Sequence, residues 1–261
     1  MENKNREIKT VMHTVKLRKL TVKKTELLSK SLKRITLTGD DLEGFVSMSP
    51  DDHVKAFFAY PGEDEPVIPS MLAPDAKQDR PPIMRDYTPR RYNAEAKELE
   101  IDFVLHGKGP GSQWAQLAEV GSKFTMGGPR GSKIVPYEFD WYLMIGDETS
   151  LPSFARRLEE IPSNAKAVVF IQVKNESEKI QLQHGPDVAI HWVFRNGNDA
   201  TSVEMLKEAV LKEPFPSGDY FSWIGTEKGC AMELKSLLLD VKGAEESWIK
   251  ATGYWKNGEA G

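Results

Sequence analysis

The chain changes rhythm near its midpoint, and no other feature of the sequence constrains the fold as much. Up to about Gly131 the apolar residues come in short alternating runs, clearest in Leu99-Glu100-Ile101-Asp102-Phe103-Val104-Leu105. A period of two buries one side of an extended segment and wets the other. The spacing predicts strands over 13–23, 32–37, 54–59, 84–92, 98–105 and 122–126, with breaks at Pro61-Gly62, Pro81-Pro82 and 93–96. Short strands spaced in this way suit an antiparallel barrel or sandwich.

Beyond Gly131 the pattern is different. Trp141-Tyr142-Leu143-Met144-Ile145 is unbroken apolar sequence, the signature of a strand buried on both faces. Further apolar runs fall at 167–173, 188–194 and 220–225, interleaved with helical stretches at 152–160, 202–211 and 227–240. Phe154 and Leu158, four apart, mark one face of the first helix. Alternating strands and helices imply a parallel sheet covered on both sides. The expected fold is therefore two-domain: an antiparallel β-barrel, then an α/β parallel-sheet domain. The Gly- and Pro-bearing stretch 130–137 is the expected boundary, giving domains of 10–135 and 136–261, the second ending in a C-terminal tail.

Composition removes several functions. Cys230 is the only cysteine, which excludes an internal disulfide, a CxxC redox pair and a four-cysteine iron–sulfur cluster. Redox chemistry in this chain would need a bound organic cofactor. The five histidines show no HExxH spacing, so no protein-built metal site is expected. Lys16, Arg18, Lys19, Lys23, Lys24, Lys30, Lys33 and Arg34 make the early strands basic. Aromatic residues are almost absent among them, which favours a solvated barrel surface over a nucleic-acid site. No apolar run approaches the roughly 18 residues needed to cross a bilayer. The polar start, 1–9, lacks the apolar middle of a secretory signal. A cytoplasmic monomer, with no membrane insertion, is the expectation.

Two segments carry the chemistry. In Arg85-Asp86-Tyr87-Thr88-Pro89-Arg90 a guanidinium can grip a pyrophosphate oxygen. Two positions on, Tyr87 leaves the same face of a strand and offers an aromatic plane to a flavin ring. Thr88 then brings a hydroxyl or an amide near the ring's reactive nitrogen. Alone, the segment suits an ordinary Tyr- and Arg-bearing barrel strand equally well. The second segment, His106-Gly107-Lys108-Gly109-Pro110-Gly111-Ser112-Gln113-Trp114-Ala115, follows a strand and opens a short helix. Its glycines let backbone approach a ligand closely, and Ser112 is expected to cap a helix whose first amides face an anion. The pair tips the balance toward a flavin site.

At these residues the sequence resembles the siderophore-interacting proteins, ferric-siderophore reductases of the ferredoxin–NADP reductase superfamily. The likeness runs through 85–90, 102–115, Gly128-Pro129-Arg130-Gly131, Gly146-Asp147-Glu148-Thr149-Ser150-Leu151-Pro152 and Gly253-Tyr254-Trp255-Lys256-Asn257-Gly258, in the family's order. It implies FAD on the barrel domain and NADH or NADPH on the α/β domain. By that resemblance Arg85, Tyr87 and Thr88 hold the flavin and its phosphates. Asp102, Phe103, Val104 and His106 line the ribityl and adenosine side, and Gly111 and Ser112 the pyrophosphate. Thr149 and Trp255 are cofactor-binding, while Lys55, Arg130 and Lys256 meet an anionic iron complex. Pro89 stands where the family usually has a small aliphatic residue, and Gly111 where alanine is more usual. Neither departure removes a group that contacts FAD.

Electron counting supplies the reaction. Nicotinamide gives two electrons as a hydride, ferric iron accepts one, and a flavin converts between them; no general base is needed and no catalytic side chain is assigned. The expected function is NAD(P)H:ferric-siderophore reduction, releasing iron as Fe(II). Two alternatives stay open. One is a flavin reductase or diaphorase exchanging electrons with a carrier such as ferredoxin, and the other a non-catalytic ferric-siderophore-binding protein. Lys174-Asn175-Glu176-Ser177-Glu178-Lys179, beyond the second α/β strand, balances its charges and leaves NADH against NADPH undecided.

Overall fold

Pairing of the early strands builds the first of two units, Ile8–Val135, in a computed structural model that describes residues 6–73, 80–197 and 201–258. Its elements are β1 (Lys9–Met12), β2 (Leu17–Leu27), β3 (Leu32–Thr38), β4 (Val54–Phe58), β5 (Ile83–Tyr87), β6 (Arg91–Asn93), β7 (Glu98–Val104), α1 (Pro110–Leu117), β8 (Lys123–Gly127) and β9 (Gly131–Ile134). Seven strands form an antiparallel half-barrel in the order β5-β4-β8-β2-β3-β7-β6, and β1 pairs separately with β9. The alternation seen in sequence becomes burial: Leu99, Ile101 and Phe103 lie in the core with Ile35, Leu37 and Val54. Burying such side chains is worth about 1.5–3 kcal/mol each against leaving them in water.

Two expectations change here. The strand predicted over 84–92 is two strands, β5 and β6, broken at Thr88-Pro89-Arg90. Pro89 has no N–H for a ladder, and the chain re-pairs only when the Arg90 amide donates to the Glu100 carbonyl, 2.8 Å away. The strand predicted from residue 13 starts at Leu17. His13 instead donates its amide to the Arg130 carbonyl at 2.9 Å, extending the β1–β9 pair that the sequence pattern did not reveal.

The second unit runs from Pro136 onward and takes in the segment before Ile8, of which Arg6 and Glu7 are described. Arg6 ties that segment down by donating to Glu138, Asp140 and Asp219, with its guanidinium over the Trp248 ring at 5.2 Å. The unit contains β10 (Trp141–Asp147), α2 (Leu151–Glu160), β11 (Lys166–Val173), β12 (Val188–Phe194), α3 (Val203–Lys212), β13 (Tyr220–Glu227), α4 (Lys228–Asp240) and β14 (Ile249–Trp255). All five strands are parallel, in the order β12-β11-β10-β13-β14. Trp141, Leu143 and Ile145 pack with Leu206 and Val210 of α3 and Leu234 and Leu238 of α4. On the other face Phe154 of α2 meets the Trp223 ring edge-on at 5.3 Å. The tail expected after α4 is the fifth strand, β14. Strand order reverses between β10 and β13, and open α/β sheets bind ligands beyond the carboxyl ends of the strands at such a point.

Among the described residues no helix is long and apolar enough to cross a membrane, and no group of His, Cys, Asp or Glu could hold a metal ion.

Candidate functional site

β5 alternates as its sequence requires: Arg85 and Tyr87 are half-buried, and Met84 and Asp86 between them are exposed. Across the ladder Arg85 lies opposite Ala56 and Tyr87 opposite Val54, both buried, so the two side chains share the inner face. The Tyr87 ring is 4.3 Å from that of Phe103, with Phe58 beyond it at 6.4 Å. Burial raises the Tyr87 hydroxyl above the ordinary phenol range, so it stays protonated. Thr88 is buried immediately after it.

α1 stands over this face. A Cβ built on Gly111 would lie 1.9 Å from the Tyr87 hydroxyl oxygen, so with the ring in this place only glycine fits. Gly107 and Gly109, at φ of +73° and +78°, turn the loop through the left-handed region that L side chains avoid. Ser112 does not cap the helix as expected. Gly109 is the N-cap and Pro110 begins the helix, because proline's fixed φ suits the first helical position. Ser112 therefore falls inside the first turn. Its Oγ accepts the amides of His106 at 2.9 Å and Gly107 at 3.1 Å, pinning the loop. The first turn carries no side-chain cap, which leaves the helix end open to an anion.

The rest of the predicted cofactor wall divides by strand face. Phe103 is a core residue between the Tyr87, Trp114 and Phe124 rings. Asp102 points the other way and receives both arms of Arg34, at 2.7 and 2.8 Å, with its side chain only 1% exposed. Its carboxylate is therefore engaged by Arg34. Val104 is half-buried at the strand end. His106 sits partly buried beside Lys108, and burial foremost lowers its pKa. An aromatic face, a guanidinium beside it and an uncapped helix end together fit a flavin bearing a pyrophosphate.

The carboxyl end of the parallel sheet is organised by a residue whose structural weight the sequence did not show. Asp147, 1% exposed at the end of β10, receives the Thr149 amide and hydroxyl on Oδ1. Its Oδ2 accepts from Thr226 Oγ1 at 2.7 Å, Thr201 Oγ1 at 2.9 Å and Trp255 Nε1 at 2.9 Å. The predicted Thr149 and Trp255 thus meet on one carboxylate. Glu148 beside it holds Arg195 through both arms. Backbones close in around the switch point: Gly146 pairs with Gly225, and a Cβ on Gly146 would stand 2.4 Å from the Gly225 carbonyl. The Gly-Asp-Glu-Thr motif was visible in sequence. The partners of its aspartate lie 54, 79 and 108 residues away and were not.

The three predicted substrate residues lie on both units. Lys55 points outward from β4 and is paired with Asp86 at 2.7 Å; Arg130 is exposed just before β9, and Lys256 is exposed just after β14. Cys230 is buried in the first turn of α4, where its amide donates to Glu227 at 3.0 Å. Burial and the Glu227 charge push its thiol up to about 11, so little thiolate forms at neutral pH. Cys230→Ala is therefore expected to retain flavin reduction by nicotinamide at the wild-type rate. A stopped-flow trace showing lost turnover with flavin still bound would give the thiol a role.

Comparison with known proteins places these features in a family. Residues 21–133 match the siderophore-interacting FAD-binding domain, and residues 139–258 match the siderophore-interacting protein domain. The ferric vibriobactin reductase ViuB of Vibrio cholerae is 34% identical, over 89% of this chain and 86% of its own. An NADPH-dependent ferric-chelate reductase of Escherichia coli is 32% identical over 98% of this chain and 99% of its own. The crystal structure of a siderophore utilization protein from T. fusca superposes with a TM-score of 0.88 at 34% identity, covering 97% of each chain. Likeness of this degree over both units, in fold and in sequence, makes the chain a member of the siderophore-interacting protein family.

Proposed function

We propose that this protein is an FAD-dependent reductase that takes electrons from NADH or NADPH and reduces iron in a ferric siderophore. The observation that carries the reading is the inner face of β5, which Arg85 and Tyr87 share, with the Tyr87 hydroxyl set against Gly111 in the uncapped first turn of α1. A pure siderophore binder has no use for that arrangement. FAD, when bound, accepts a hydride pair and passes the electrons on singly.

The chain's own residues supply position and charge. Arg85 and the first-turn amides of α1 hold the phosphates, Tyr87 offers its ring to the flavin, and Thr88 lies at the ring's edge. Asp102, Phe103, Val104, His106, Gly111 and Ser112 shape the remaining wall, with Ser112 acting through the loop amides it holds. Thr149 and Trp255, fixed by Asp147, serve the nicotinamide side. Lys55, Arg130 and Lys256 attract the anionic iron complex. In this reading residues 10–135 form the FAD domain and 136–261 the nicotinamide domain, and the protein works as a cytoplasmic monomer, with ferredoxin as the alternative electron partner.

Purified protein should be yellow, release FAD on heating, bleach with NADH or NADPH, and recolour on adding a ferric siderophore. Release of FMN alone would sink the cofactor assignment. Lys55→Ala, Arg130→Ala and Lys256→Ala should each raise KM for an anionic ferric siderophore and leave flavin bleaching unchanged. The effect should shrink with salt, because the screening length is about 8 Å at physiological ionic strength. Wild-type KM in all three variants would favour a carrier protein as the acceptor.

A further inference from the structure

His13, Lys16 and Arg18 line a cavity of about 380 Å³ in the first unit, with Gly44, Gly128 and Pro129 among the other walls. Among the described residues no acidic side chain lines it. Arg18 is only 3% exposed, yet no salt bridge to it is found among the described residues. One of its terminal nitrogens, Nη1, donates to the carbonyls of Gly128 at 3.0 Å and Lys16 at 3.3 Å, and its guanidinium lies 5.2 Å over the Phe45 ring. Its Nε is buried without a hydrogen-bond partner. Asp41 acts on it through space, but a carboxylate oxygen of Asp41 is occupied by the Lys19 amide at 2.8 Å. A guanidinium remains charged when buried, so this one lacks a contacting counter-charge.

Lys16 and His13 are each placed by their surroundings. Lys16 Nζ lies 4.0 Å from where a Cβ on Gly44 would stand, which sets the ammonium against the cavity's glycine wall. His13 Nε2 is 2.7 Å from Ser132 Oγ, and that hydroxyl donates to Asp52 Oδ2 at 2.7 Å. A carboxylate only accepts, so the serine proton points to Asp52 and Nε2 must carry the hydrogen. In a neutral ring Nδ1 is then an acceptor only, so the charge offered to an anion comes from Lys16 and Arg18. The His13 amide also holds the Arg130 carbonyl, which ties this wall to the Gly-Pro-Arg-Gly loop.

We propose that this cavity is an oxyanion subsite, taking a carboxylate or catecholate arm of the anionic iron complex on Lys16 and Arg18, with His13 on its wall. The proposal rests on the ferric-siderophore reading above and extends it to residues outside the Lys55, Arg130 and Lys256 set. A volume of 380 Å³ is at the small end of ligand pockets and suits one arm of a chelate. The arm would supply the negative charge that Arg18 lacks.

Binding to the flavin-loaded protein by equilibrium dialysis tests this, with ferric dicitrate as the anionic probe, a neutral ferric trishydroxamate as comparator and iron-free citrate as a third arm. Lys16→Ala should weaken ferric dicitrate binding about three- to fivefold, and Lys16→Glu about tenfold or more. His13→Gln, which removes no fixed charge, should weaken it less than Lys16→Ala, with flavin content checking the fold. The neutral complex should bind all variants alike. Wild-type affinity for ferric dicitrate in the variants overturns the subsite and leaves the reductase reading standing. Iron-free citrate binding as tightly as ferric dicitrate, with the same dependence on Lys16, also overturns it, since the site would then serve free carboxylates. Failure of the wild-type protein to bind or reduce any ferric complex would instead overturn the reading on which the subsite rests.

Discussion

Asp147→Ala is expected to destabilise the protein by about 3–5 kcal/mol, the scale on which a buried polar network fails when its central charge is removed. The carboxylate receives donors from Thr149, Thr201, Thr226 and Trp255, and it is 1% exposed, so water does not easily replace it. Asp147→Asn should fare no better. Its amide would turn N–H groups toward a site that already holds only donors, and a carboxylate has the lone pairs that an amide lacks. Thr226→Val removes a single donor and should cost only about 1 kcal/mol, giving a graded series. Thermal unfolding reads the result, with Asp147→Ala lowering Tm by about 10 °C or more. An Asp147→Asn protein that melts with the wild type would show that the carboxylate does not hold these groups. Trp255 should also loosen, visible as faster amide exchange over 254–256, because its indole loses its acceptor.

Arg85→Ala is expected to weaken FAD binding by about 1.5–3 kcal/mol, roughly ten- to a hundredfold in Kd, the worth of a hydrogen bond to a charged group. The side chain lies on the same strand face as Tyr87, two residues on, and its removal takes away charge without disturbing the apolar core. Arg85→Lys should fall between, since an ammonium keeps the charge and loses the planar fork. Riboflavin, which has no phosphate, should bind wild type and Arg85→Ala equally. Fluorescence titration of flavin-stripped protein measures all three. An unchanged Kd for FAD would remove Arg85 from the site.

The parts of the fold that were readable from sequence are those where burial acts on neighbouring residues. β10, β11 and β13 are covered on both faces, so they appear as apolar runs, and the strand expected over 188–194 is β12 to the residue. β7 is buried largely on one side, so it alternates. β1, β9 and β14 escaped notice because they owe their state to their partners. β14 carries Lys250 and Gly253 and is held by parallel pairing to β13, a feature that no periodicity reports. Local chemistry also misled where two residues competed for one place. Ser112 has the right type for a helix cap, but Pro110 starts the helix earlier and leaves Ser112 to the loop amides.

By itself the sequence determined the two architectures, the strand face shared by Arg85 and Tyr87, the glycine-bearing loop before α1 and the exclusion of cysteine chemistry. Each of these depends on residues within a few positions of one another, where the chain's own geometry dictates which side chains are neighbours. Tertiary structure alone decided that Asp147 gathers Thr201, Thr226 and Trp255, that Asp102 is engaged by Arg34, and that His13, Ser132 and Asp52 form one chain of contacts. Those residues are tens of positions apart. Only strand order and register bring them within hydrogen-bonding distance, and a buried polar group takes whichever partner the fold places there.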